Sequence, residues 1–146
     1  MIFISLLFSS LLDINAKSLC PKIEGQFKCN NQGDLLELNF QFNTTKGAPI
    51  YFINEDKVIA DGKSRFYEDE NVKNGKVSGT CVNDNLRHHL RGFFENSHGE
   101  TYGRVNMISM FRVTEIGDLE VVQSGEYFFD SYGEIPIDNV IKCIKP

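Results

Sequence analysis

Between residues 85 and 113, polar and apolar side chains change places almost residue by residue, and a period of two held over that length dictates extended strands. In the first half, Leu86, His88, Leu90, Gly92 and Phe94 fall on one face, with Arg87, His89, Arg91, Phe93 and Glu95 on the other. Asn96, Ser97, His98 and Gly99 supply a reversal, because Asn and Gly tolerate the positive φ that a tight turn needs. In the second half, Thr101, Gly103, Val105, Met107, Ser109, Phe111 and Val113 share a face.

The rest of the chain repeats this pattern in shorter form. Ile23, Gly25, Phe27 and Cys29 alternate with Glu24, Gln26 and Lys28, which predicts a first strand. Leu36, Leu38, Phe40 and Phe42 alternate with Glu37, Asn39 and Gln41, the pattern of a strand with one buried and one wet face. Residues 50–53 and 57–60 read as a hairpin around Asn54, Glu55 and Asp56. Residues 64–67, 76–82, 119–123 and 126–129 read as further strands. The tail, residues 135–144, contains Pro136 and so suits an edge or a closing strand. Eight to ten short strands with turn signals at near-regular spacing predict an all-β antiparallel meander. A closed or nearly closed barrel is the simplest architecture, because closure removes exposed edges, and a β-sandwich is the second. With 146 residues and no Pro-rich or Ser-rich linker, one domain over residues 17–146 is expected.

Residues 1–16 differ in kind: an apolar run from Ile2 to Leu12 precedes Asp13, Ile14, Asn15 and Ala16, the shape of a secretory signal peptide. The run is too short to span a bilayer as a helix, which takes about 20 apolar residues. Four cysteines (Cys20, Cys29, Cys81 and Cys143) behind an export signal read as two disulfides in a secreted or periplasmic protein. If the first strand is extended, Cys20 and Cys29 stand up to ~30 Å apart, whereas a disulfide needs Cα atoms within ~7 Å. A last strand running antiparallel to the first favours Cys20 with Cys143 and Cys29 with Cys81.

Charge and motif narrow the function classes. The formal net charge of −5, or −4 once Asp13 is removed with residues 1–16, argues against nucleic acid. Arg87, Arg91, Arg104 and Arg112 alternate with other residue types and read as a dispersed, solvated strand face. His88 and His89 are adjacent on a strand, so they point to opposite faces and cannot both chelate one ion. No Cys-x-x-Cys, nucleophile elbow or EF-hand spacing occurs, so the expectation is a non-enzymatic protein with no metal and no cofactor.

At Ile23, Gly25 and Phe27, just inside the first strand of a secreted meander of this size, the chain resembles the lipocalin-like (calycin) barrels, whose first strand carries a Gly-x-Trp; Phe27 takes the place of the Trp. The resemblance implies a barrel that binds a small apolar ligand, lined by inward residues such as Phe40, Phe42, His88, Leu90, Phe94, Met107 and Phe111. The competing expectation is that these rings fill a narrow barrel. The protein would then be an inhibitor-like monomer that binds another exported protein through its loops at residues 43–49, 68–75, 96–99 and 131–136.

Overall fold

The computed structural model describes residues 20–44 and 47–146, so the signal-like segment of residues 1–16 lies outside the described residues. Ten strands follow in sequence: β1 (Gly25–Asn31), β2 (Asp34–Asn43), β3 (Ile50–Ile53), β4 (Asp56–Ile59), β5 (Arg65–Tyr67), β6 (Lys73–Val82), β7 (Asn85–Glu95), β8 (Thr101–Val113), β9 (Leu119–Phe129) and β10 (Gly133–Ile144). All lie in one antiparallel sheet, ordered β4-β3-β2-β1-β10-β9-β8-β7-β6-β5. The last strand therefore seats beside the first, and β4 and β5 are the two ends of the sheet. No helix occurs among the described residues.

The sheet curls because the apolar residues of its concave face can be buried only against one another. Phe27, Phe40, Tyr51, Leu86, Phe111, Leu119, Val121 and Ile141 come together from seven strands into one core. Phe40 of β2 reaches Phe111 of β8 across the interior, ring centroids 5.6 Å apart in an edge-to-face contact. Phe27 meets Phe40 in the same manner at 5.9 Å. At this end the interior is filled with side chains, and the Gly62 N–H donates to the Gly79 carbonyl of β6 at 2.8 Å across the remaining gap.

The other end stays open because the strands differ in length. β1 pairs with β10 only from Lys28 to Asn30, opposite Lys142 to Ile144, and then turns away at Gln32 and Gly33. From Gly133 to Ile141, β10 is paired with β9 on one side and with no strand on the other. Strands β6 to β10 thus run on beyond the core as an open, concave half-barrel.

Both disulfides form, but not in the expected pairing: Cys29 joins Cys143, and Cys20 joins Cys81. The last strand does run antiparallel to the first; the register, however, sets Cys143 directly opposite Cys29. Cys20 precedes β1, and its segment crosses the closed end to reach β6. Buried Ile23 plugs this crossing, and the Tyr51 hydroxyl donates to the Pro21 carbonyl at 2.6 Å. The expected loops are also shorter than the sequence suggested. Residues 133–136 belong to β10, and residues 73–75 belong to β6, where positive φ at Asn74 accompanies a bulge between Lys73 and Lys76.

Candidate functional site

The register of β7 to β10 arranges the concave face in rows. The row of Leu86, Phe111, Val121 and Ile141 is core. The next is polar: His88 lies opposite Ser109, Ser109 opposite Gln123, and Gln123 opposite Asn139. Gln123 donates through Nε2 to Ser109 Oγ at 3.4 Å, and Asn139 donates through Nδ2 to Gln123 Oε1 at 3.3 Å and to Asn31 Oδ1 at 2.9 Å. The result is a belt of side-chain polarity across five strands. Ser109 can be almost wholly buried because this chain of donors reaches it.

His88 closes one end of the belt. Glycine stands opposite it on β6, at Gly79, and β4 packs over that glycine through Val58 and Ile59. Burial holds its pKa below the usual histidine value; the Asp56 carboxylate opposes that shift and the neighbouring His89 adds to it. The ring is therefore neutral at pH 7, fit to donate or accept one hydrogen bond but not to present a charge.

Beyond the belt the trough becomes apolar and then aromatic. Leu90, Met107 and Ile137 form the third row with Gly125, and Val105, Tyr127 and Ile135 the fourth with Gly92. At the open end Phe94 and Phe129 stack with centroids 5.6 Å apart over Gly103, where a Cβ would lie 2.8 Å from the Phe129 ring. Tyr102 and Tyr127 complete the cluster. The turns at residues 68–72, 96–100 and 130–132 surround this end, whereas Asn43 at the end of β2 and Ile50 at the start of β3 lie at the closed end, so the expected loops do not form one surface. Tyr67 stands at the margin, its hydroxyl donating to Asp69 Oδ2 at 2.7 Å, and burial followed by that bond raises its pKa.

All seven residues expected to line a ligand site lie on the concave face, but at different depths. Phe40 and Phe111 are locked in the core, and Phe42 packs beside it on Tyr51, ring centroids 4.9 Å apart. His88, Leu90, Met107 and Phe94 run along the trough in that order, apart from the pairing of Leu90 with Met107 in one row. The sequence reading missed Ser109, Gln123, Asn139 and Asn31 as a connected belt, and Tyr102, Tyr127 and Phe129 as partners of Phe94. The i, i+2 spacing of Tyr127 and Phe129 was the available signal for the last two.

Among the described residues, no group of three or more His, Cys, Asp or Glu side chains is placed to hold a metal ion. No helix among them is long and apolar enough to cross a membrane. Compared with known proteins, the chain matches no family model, no curated protein and no solved structure.

Proposed function

We propose that the protein is an exported, disulfide-stapled binding protein that recognises another exported protein through the open end of its trough. The observation that carries this reading is the aromatic cluster of Phe94, Tyr102, Tyr127 and Phe129 at the open end, where Tyr102 is 46% and the neighbouring Ile135 42% exposed. Half-exposed aromatic side chains on a rigid sheet are the composition of interface anchors. Filling of the closed end by Phe40 and Phe111 weighs against a carrier that swallows its ligand. Two disulfides fit an oxidising compartment outside the cytosol.

A second reading, a small apolar ligand lying in the trough, is favoured by the row of Leu90, Met107 and Ile137 beside the neutral His88. Native mass spectrometry of the protein purified from its source compartment separates the two. A protein-sized adduct that disappears in the Tyr127→Ala variant supports partner recognition. A lipid-sized adduct supports the small ligand, and a bare chain counts against both.

A further inference from the structure

The convex face of the open end carries a cationic patch that neither ligand reading uses. Two rows of side chains cross it: Phe66, Lys76, Arg91 and Asn106 in the first, and Lys73, Phe93, Arg104 and Phe128 in the second. The bulge at Asn74 puts Lys73 and Lys76 on the same face although they are three residues apart. Lys73 approaches Glu68 at 3.8 Å. Among the described residues, Lys76, Arg91 and Arg104 form no ion pair, and the Arg104 guanidinium lies 4.4 Å over the Phe128 ring. Between them is a groove of about 370 Å³ lined by Lys76, Arg91, Phe93, Arg104, Asn106 and Glu126.

Gathering four cations here runs against the chain's net charge of −5; Glu120, Glu126, Glu134 and Asp138 hold the same face of β9 and β10, while Glu95 ends β7 and Glu68 pairs with Lys73. The Glu126 carboxylate, the acid that reaches the groove, accepts from Asn106 Nδ2 at 3.2 Å. The same face leaves Phe66 71% and Phe93 43% exposed. A soluble polyanion would neutralise the cations and leave both rings in water. An anionic phospholipid surface satisfies both, with phosphates meeting the cations and aromatic side chains entering the interface.

From this placement of Lys76, Arg91 and Arg104 with Phe66 and Phe93, we infer that the convex face of β5 to β8 docks peripherally on anionic phospholipid bilayers. The test is co-sedimentation of the full disulfide-bonded chain with phosphatidylcholine vesicles, with and without a minority of phosphatidylglycerol, and retention on heparin as the soluble polyanion. Binding confined to the anionic vesicles is expected. The K76Q/R91Q/R104Q variant should bind them roughly 100-fold more weakly, from about a fivefold loss per cation. F66S/F93S should also weaken vesicle binding, while R112Q, at the closed end of the same face and already paired with Glu120, should leave it unchanged. All of these side chains except the Glu120-paired Arg112 are exposed without a carboxylate partner, and disulfide mapping of each variant reports its fold. Absence of vesicle binding, equal binding to neutral and anionic vesicles, or tight heparin retention with vesicle binding indifferent to Phe66 and Phe93 would overturn the inference.

Discussion

Gly79 of β6 faces Val58 of β4 so closely that a Cβ at Gly79 would lie 2.6 Å from Val58 Cγ1 and 2.9 Å from the Ile59 carbonyl oxygen. The β4 end of the sheet closes on β6 at this point, beyond the reach of β5, and only the absence of a side chain lets it do so. Gly79→Ala should therefore destabilise the fold by about 1–3 kcal/mol through overpacking. Adding Val58→Ala should restore part of the loss, a coupling of at least ~0.5 kcal/mol between neighbours. Urea unfolding with disulfides intact measures both; strict additivity of the two substitutions would contradict the contact.

The two ends of the interior should differ in cost. Phe111 is buried against Phe40, so Phe111→Ala should lose about 3–5 kcal/mol. Phe94 stands in the half-exposed aromatic cluster, and Phe94→Ala should lose less, on the order of 1–2 kcal/mol. Denaturant midpoints of the two variants give the comparison directly.

His88 predicts an acid-sensitive stability. Its folded pKa lies below the unfolded value of about 6.5, so in the window between them the unfolded chain binds more protons. Stability then falls as pH drops from neutrality through the unfolded pKa, and levels off below the folded one. His88→Gln should flatten thermal midpoints between pH 7 and pH 5 by removing this contribution. Asp61 acts at lower pH: hydrogen bonds from Arg65 and from the Lys63 N–H hold its pKa below the usual carboxylate range, so its share persists above the unfolded pKa of about 4 and is lost as pH falls further.

Peptide mapping under non-reducing conditions should recover Cys20 linked to Cys81 and Cys29 linked to Cys143. The sequence separations of 61 and 114 residues make both loops long. Replacing either pair by alanine should cost roughly 2–5 kcal/mol, mostly through the freed unfolded chain.

The reach of the sequence follows from what is local and what is not. Leu36 to Phe42 and Leu86 to Phe94 announce their strands because a period of two needs only neighbours along the chain. Register is a property of pairs of strands, and it decided where the reading failed. It set Cys143 opposite Cys29, and it aligned Ser109, Gln123 and Asn139, which look like isolated polar residues when read one strand at a time. The arginines show the same limit. Alternation along β7 and β8 made Arg91 and Arg104 look dispersed, yet alternation is what puts each on the convex side, and the pairing of Phe93 with Arg104 brings them together. The bulge that adds Lys73 to Lys76 has Asn74 at its centre, a residue that the sequence marks only as part of a loop.

The unpaired run of β10 bears on self-association. Nine residues of open strand edge would ordinarily be a template on which other sheets could polymerise. Here Pro136 brings no N–H to that edge, and Glu134 and Asp138 flank it with two exposed negative charges on the same face. An approaching copy of β10 would meet a missing donor and like charge together. The half-barrel can thus stay open without offering a clean template for fibrils of its own making.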